Sequence, residues 1–190
     1  MGNLMSQEFT ECKNPATGEI LGRSPLNTME DVRLAVLNGR AAQAKWAGFS
    51  ITTRVRAIRR VRGYLVEHVD ELVETISRDN GKVRFDALAT EILPAALAAG
   101  YYAGRARRLL RPKRLWPGHL LFANKSSQIH RVPWGVVAII SPWNYPFGIP
   151  FSEIVMALLA GNGVVLKVAS QTQMVGRALE RVFTAAGLPQ

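Results

Sequence analysis

The sequence predicts an α/β fold, in which N-terminal helices lead into the first βαβα part of a parallel sheet, with a short antiparallel ribbon between the two. Three observations predict it. Apolar residues recur at helical steps of three, four and seven through the first half of the chain. Two short apolar runs, Gly135 to Ile140 and Val164 to Leu166, each lead into a helical pattern in the second half. A stretch with turn residues separates these two regimes.

Residues 1–27 read as an irregular or strand-containing arm, with Asn14-Pro15-Ala16-Thr17-Gly18-Glu19 as a turn. Thr28 and Asp31 have the spacing of a capping pair, and Val32, Ala35 and Val36 begin a helix that runs to about Ala47. The next helix carries Val55, Ile58, Leu65, Val69, Leu72, Val73 and Ile76, and ends at Asn80-Gly81, where glycine permits a left-handed stop. A third extends from about Lys82 to Leu110, with a kink expected at Pro94. Trp116-Pro117-Gly118-His119 is turn chemistry. The segments Leu120 to Ala123 and Gln128 to Val132 read as the antiparallel ribbon, with Asn124 to Ser127 between them. Strand 135–141, helix 151–160 with Pro150 at its start, strand 164–168 and helix 171–186 follow. In the last helix Met174, Val175, Ala178, Leu179, Val182 and Phe183 form a wide apolar stripe. Two parallel strands leave a doubly wound sheet short of cover, so these 190 residues are expected to be the front part of a larger protein.

Hydrophobic residues make up 48% of the chain and charged residues 20%, which marks a globular rather than a disordered sequence. The single Cys12 excludes an internal disulfide framework and gives no metal-binding cluster; it is expected as a free surface thiol in a reducing, cytoplasmic setting. The first residues lack a secretory signal. Met1 to Ser6 matches the minimal myristoylation pattern without an adjoining basic patch. The uncharged stretch Val132 to Ser152 is interrupted by Pro133, Pro142, Pro146 and Pro150, so it is not read as a membrane span. The net charge of +10 concentrates in Arg54, Arg56, Arg59, Arg60 and Arg62, and again in Arg105, Arg107, Arg108, Arg111, Lys113 and Arg114. The first group reads as the solvated side of a helix and the second as a charged helix exit. The alternative is a non-catalytic basic module that binds nucleic acid or an anionic surface.

Neither common phosphate-loop signature is present, since Gly161-Asn162-Gly163 precedes a strand instead of opening a helix. His68, His119 and His130 lie on different elements and make no triad or metal-ligand spacing. Asn144, held between Pro142 and Pro146 just beyond a strand, offers an amide donor at the carboxyl edge of a sheet, suited to an oxyanion; taken alone it reads as a turn residue. Lys167 and Ser170, after the second strand, are either a cation and hydroxyl for a ribose or phosphate, or a surface lysine and a helix cap.

The ordered series Asn14 to Glu19, Asp79-Asn80-Gly81-Lys82, Val132 to Val137, Ser141-Pro142-Trp143-Asn144-Tyr145-Pro146 and Ala160 to Lys167 covers nearly the whole chain and resembles the aldehyde dehydrogenase superfamily. The resemblance implies a Rossmann-like sheet and a cysteine thiolate that attacks the aldehyde to give a thiohemiacetal. It also implies transfer of hydride to NAD or NADP, and a glutamate-activated water that releases the acid. It assigns Asn144 as the catalytic oxyanion donor, which requires that residue to face a cleft beside the parallel strands. Ile140, Ser141, Pro142 and Trp143 are assigned to the cofactor cleft, and Lys167 with Ser170 to the adenosine ribose region. It divides the chain into an arm and helical part at 1–111, an oligomerisation ribbon at 112–132, and the first part of the cofactor-binding sheet at 133–190. The partners implied are an aldehyde substrate and further copies in a homo-oligomer.

The sequence departs from the family in three ways. The family's nucleophilic cysteine and general-base glutamate have no counterpart in these residues, so the catalytic domain is expected to be absent and the chain inactive alone, unless a separate C-terminal chain completes a split enzyme. Ser170 stands where many NAD-preferring members carry glutamate, which implies tolerance of NADP. Glu153 stands where many members carry lysine.

Overall fold

The Asn14–Glu19 turn closes a hairpin of β1 (Phe9–Lys13) and β2 (Ile20–Pro25), with Asn14 N donating to Glu19 O at 2.9 Å. A computed structural model describes residues 8–116 and 118–188. The Met1–Ser6 pattern and Pro117 of the expected 116–119 turn lie outside them. Cys12 is the inward residue of β1 and only 4% exposed, with its sulfur 3.9 Å from Ser24 Oγ. Burial pushes this thiol up. It is therefore not the surface thiol expected from an arm assumed to be loose; strand pairing turns its side chain inward.

Helix α1 (Met29–Ala47) starts at the capping box foreseen in the sequence: Asp31 N donates to Thr28 Oγ1 at 3.2 Å and Thr28 N to Asp31 Oδ2 at 2.7 Å. The expected single helix to Asn80 is two helices, α2 (Ile51–Glu67) and α3 (Val69–Asn80). His68 leaves helical geometry between them, stacked on Tyr64 at 3.8 Å. Periodicity missed the break because Leu65, Leu72 and Ile76 remain in step across one displaced residue. At Gly81 the backbone turns left-handed, φ 83°, as the Asn-Gly pair predicts.

The expected third helix is also divided, into α4 (Arg84–Ala87), a π-helical turn at Leu88–Ile92 and α5 (Leu93–Leu110). Pro94 therefore sits at the start of α5 instead of kinking its middle. The wider turn, in which Leu93 N donates to Leu88 O, accommodates a residue with no N–H to give. Ala95, Ala99, Ala103 and Ala106 form the inward stripe of α5.

In the ribbon, β3 (Lys113–Leu115) pairs antiparallel with β4 (Ser127–Ile129). The expected strand at 120–123 is instead a 3₁₀ turn, Leu120–Phe122, capped by His119 Nδ1, which accepts from Leu121 N at 3.2 Å. Its run Leu-Leu-Phe-Ala has no polar alternation to favour a strand. Trp116, Leu120 and Leu121 are each at least 80% exposed.

The second half follows the predicted grammar: β5 (Val136–Ile140), α6 (Gly148–Leu159), β6 (Gly163–Lys167) and α7 (Gln173–Ala185). The two strands are parallel and pair from Val136 with Gly163 to Ile140 with Lys167. Helix α1 covers the sheet through Gly39, which faces Val136 and Val165, and is tied down by Trp46 Nε1 to Leu158 O at 2.8 Å and Gln43 Nε2 to Gly161 O at 3.0 Å. One core joins Ile58 and Leu65 of α2, Leu72 and Ile76 of α3, Ile92, Phe147 and Phe151, and Val175 and Leu179 of α7. Each large side chain so buried contributes about 1.5–3 kcal/mol.

The first basic group is not merely a solvated face. Arg54, Arg60 and Arg62 donate to the carbonyls of Ala47, Ala186 and Ala96, cross-linking α2 to its neighbours, although all of the group but half-buried Arg54 are exposed, as a solvated face requires. Of the second group, Arg107 bonds Thr52 Oγ1 and Arg105 lies 4.0 Å over the Tyr101 ring.

Glycine in a helix interior normally costs stability, yet at Gly176 a Cβ would stand 2.6 Å from Val168 Cγ1, whereas at Gly104 it would meet nothing within 4 Å. Gly176→Ala is therefore expected to destabilise the chain by about 1–3 kcal/mol and Gly104→Ala to stabilise it by up to about 1 kcal/mol. Urea-unfolding midpoints of the two variants check these opposite signs.

Candidate functional site

Because Ile140 pairs with Lys167, and Ser141 N donates to Lys167 O at 2.9 Å, both parallel strands end at one level. The chain leaves β5 into the loop 141–147 and β6 into the loop 168–172, so every residue the sequence put forward lies at this carboxyl edge. A further buried amide fixes the opposite end of the strands. Asn162 Oδ1 accepts from Trp134 N at 2.6 Å and Gly135 N at 3.2 Å, and its Nδ2 donates to Ala157 O at 3.2 Å.

The loop 141–147 is gripped residue by residue. Buried Ser141 turns its hydroxyl onto Pro142 O at 3.2 Å and Pro146 O at 3.4 Å. Asn80 Nδ2 donates to Trp143 O at 2.7 Å. Lys82 Nζ stands 4.1 Å over the Tyr145 ring and 2.5 Å from Glu91 Oε1. Glu91 Oε2 accepts from Phe147 N at 2.8 Å and Gly148 N at 2.9 Å, capping α6, which has no side-chain cap of its own. A carboxylate at a helix N-terminus also has the favourable sign for the helix dipole.

Asn144 is exposed and hydrogen-bonded to none of the described residues. Ile140 and Trp143 are 76% and 60% exposed, Pro142 is half-buried, and Lys167 and Ser170 are exposed. The cleft that Asn144 was expected to face is not formed by these residues. A cleft of about 640 Å³ lies instead along β6 between α1 and α7, lined by Gly39, Gln43, Gly163, Leu166, Gly176 and Phe183, and contains no predicted site residue. Ser170 does not cap α7 either: the cap position is Thr172, and Ser170 Oγ bonds Gln171 Oε1 at 3.1 Å.

Capping of α7 falls to Asp79, at the end of α3, whose Oδ2 accepts from Val175 N at 2.9 Å and whose carboxylate also meets Met174 N. Burial pushes this carboxyl above its ordinary range, and those amides pull it partly back. Asp79 Oδ1 and Thr172 Oγ1, both buried, have no hydrogen-bond partner among the described residues. Asp79, Asn80 and Lys82 were legible only as part of a pattern. Glu91 was missed, although a single acid in the otherwise uncharged run Ala87 to Ala99 was the available signal. Among the described residues no cluster of three or more His, Cys, Asp or Glu is placed to hold a metal, and no helix is long and apolar enough to cross a membrane.

The sequence model of the aldehyde dehydrogenase family matches residues 4–190. The chain is 36% identical to 4,4'-diapolycopene aldehyde oxidase of Methylomonas sp over 176 residues, which cover 93% of this chain and 33% of that protein. It spans about a third of the length of the curated relatives it matches. Among solved structures, an E. coli NADP dependent enzyme superposes with a TM-score of 0.88 at 31% identity, covering 96% of this chain and 37% of the other. A NAD-dependent benzaldehyde dehydrogenase from Corynebacterium glutamicum superposes with a TM-score of 0.87 at 30% identity, covering 97% and 39%.

The buried Asp79 carboxyl sets the sign of one pH effect. With its folded pKa raised, the folded chain binds a proton more readily than the unfolded one, so its charge costs stability at neutral pH and that cost is relieved as pH falls through the raised value. Relative to Asp79→Asn, the wild-type chain is expected to gain stability between pH 7 and about pH 4. Urea midpoints of the two proteins across that range measure the difference, and a gap that widens against the wild type on acidification overturns it.

Proposed function

Because the chain belongs to the aldehyde dehydrogenase family, we propose that it forms the N-terminal portion of an enzyme that oxidises an aldehyde to a carboxylic acid with NAD or NADP. The observation that carries this reading is the shared level at which β5 and β6 end, which brings the Asn144 loop and the Lys167–Ser170 loop to one edge, with the side chains of Asn144 and Lys167 hydrogen-bonded to none of the described residues. Asn144 donates its side-chain amide to the oxyanion that forms when a thiolate adds to the aldehyde carbon. That thiolate, and the base that activates water for release of the acid, belong to polypeptide other than these residues. Cys12 is no substitute, being buried on the inner face of the hairpin with its thiol pKa pushed up.

The residues at the edge suit a dinucleotide. Ile140 and Trp143 offer exposed apolar surface beside Ser141 and Pro142, and Lys167 and Ser170 offer an exposed cation and hydroxyl for ribose oxygens. When bound, the cofactor accepts the two electrons and the hydrogen that leave the substrate carbon. Ser170 carries no charge to repel a 2′-phosphate, which favours NADP as well as NAD. The ribbon within 112–132, with Trp116, Leu120 and Leu121 exposed, serves contact between copies in a homo-oligomer, and the segments 1–111 and 133–190 make up the helical and sheet parts of the cofactor-binding unit.

Residues 1–190 alone are expected to give no aldehyde-dependent reduction of either cofactor, and fusion to, or co-expression with, the remaining portion of a family relative is expected to give it. In the completed enzyme Asn144→Ala should lower kcat by about 100–1,000-fold. Steady-state rates check this, and an Asn144→Ala enzyme with undiminished kcat overturns the role. The ratio of kcat/KM for NAD and NADP is expected to stay within about tenfold; a strong NAD preference removes Ser170 from the argument.

A further inference from the structure

Resting on the assignment of Asn144 above, we propose that Glu91, paired with Lys82, is the positioning residue of the oxyanion site: a buried carboxylate that fixes the loop carrying Asn144 from outside the sheet. Glu91 is fully buried, and both its oxygens are spent, Oε1 on Lys82 Nζ at 2.5 Å and Oε2 on the Phe147 and Gly148 amides at 2.8 and 2.9 Å. It projects from the π-helical turn Leu88–Ile92, the one departure from α geometry in its helix, and such turns recur at functional sites. Gly148 packs directly on it: a Cβ there would lie 3.4 Å from the Glu91 Cα and carbonyl oxygen, at van der Waals contact, so the two segments meet backbone to backbone.

The pattern of contacts around Asn144 is what distinguishes positioning from general packing. Its two neighbours are held from the same segment, Trp143 by Asn80 through its carbonyl at 2.7 Å and Tyr145 by Lys82 over its ring at 4.1 Å, while Asn144 itself is hydrogen-bonded to none of the described residues. Lys82 serves twice, completing the charge of Glu91 and holding Tyr145, so the buried pair and the loop cannot move independently. A catalytic donor needs this combination of a fixed backbone and an uncommitted side chain, because displacement by about 1 Å costs on the order of 100-fold in rate.

Two measurements test the proposal. In the 190-residue chain, Glu91→Gln keeps the side-chain shape but removes its charge. It is expected to speed hydrogen exchange of the Phe147 and Gly148 amides by about tenfold or more while Val61 and Leu65, in the core of α2, keep their rates. Unchanged exchange at Phe147 and Gly148, or an equal acceleration everywhere, overturns it. In the completed enzyme, Glu91→Gln is expected to lower kcat by about 10–100-fold with the cofactor KM unchanged, and to cause no further loss in an Asn144→Ala background. Additive losses in the double variant overturn the positioning role. If Asn144→Ala alone leaves kcat unchanged, it is the oxyanion assignment that fails, and the exchange experiment still decides whether Glu91 holds the loop. Should Glu91→Gln not fold, Asn80→Ala replaces it. That variant is expected to shift the Asn144 side-chain amide resonance and lower kcat in the same direction, and an unmoved resonance overturns the proposal.

Discussion

A carboxylate with no exposed surface must have every lone pair matched, and the way Glu91 meets that demand organises the carboxyl edge of the parallel strands. Its partners come from two places: Lys82 beyond the end of α3, and the consecutive amides of Phe147 and Gly148 where the loop turns into α6. Loss of the lysine would leave a bare buried charge, and loss of the glutamate would leave two orphaned amides at a helix start and an unpaired ammonium, so the three segments hold their places together or not at all. The π-helical turn belongs to the same constraint. It lets Pro94 follow without a broken helix and sets Glu91 in the inward position from which it reaches α6.

The same logic recurs on a neutral scale at the other end of the sheet. Asn162 bonds the start of β5 and the end of α6 with one side chain, and Gly161, left-handed at φ 92°, leaves room for Arg54, whose guanidinium would lie 2.7 Å from any Cβ placed there. Trp46 and Gln43 then fasten α1 to the α6–β6 turn. A two-stranded sheet has little cooperativity of its own. Here it is kept in register by polar side chains at both ends, and the level carboxyl edge follows from that.

Much of the fold was legible because periodicity and capping are local properties. The Thr28–Asp31 box, the glycine stop at Gly81 and the alternation of β5, α6, β6 and α7 are all present within a residue or two of their expected places, except that α6 starts three residues early, at Gly148. What escaped were departures that preserve the pattern of apolar residues. His68 breaks a helix without changing its apolar phase, the π turn adds a residue where one was expected to kink, and the run Leu120–Phe122 is too uniform to reveal its geometry. Site residues divide the same way. Asn144, Lys167 and Ser170 flank strands, but position alone left them a turn residue, a surface lysine and a helix cap, and it was the resemblance to the family's motifs that put them forward. Asp79 and Glu91 act over 96 and 56 positions of sequence, onto Val175 and Phe147, and no local rule reports a carboxylate that caps a distant helix. Cys12 was misplaced for a related reason: its burial depends on the pairing of β1 with β2 and on what the hairpin covers.

The exposure of Asn144 bears directly on the chemistry proposed for it. A donor facing a unit charge at about 4 Å gains far less in water than in a drier setting: between full charges the figure is about 1 kcal/mol in bulk water and about 4 kcal/mol at an effective dielectric of 20. In its present surroundings the amide is therefore a weak stabiliser, and the proposed role depends on a second wall that removes water. This chain prepares for such a wall in two ways. Ile140 and Trp143, on the same edge, are apolar and largely uncovered, so their burial would favour closure. The clamps at Trp143, Tyr145 and Phe147 fix the backbone beforehand, so that closure acts on a donor already oriented and spends little on ordering it. An oxyanion donor assembled this way separates its two requirements: orientation comes from the buried Glu91–Lys82 pair within the chain, and desolvation comes from whatever covers Ile140 and Trp143.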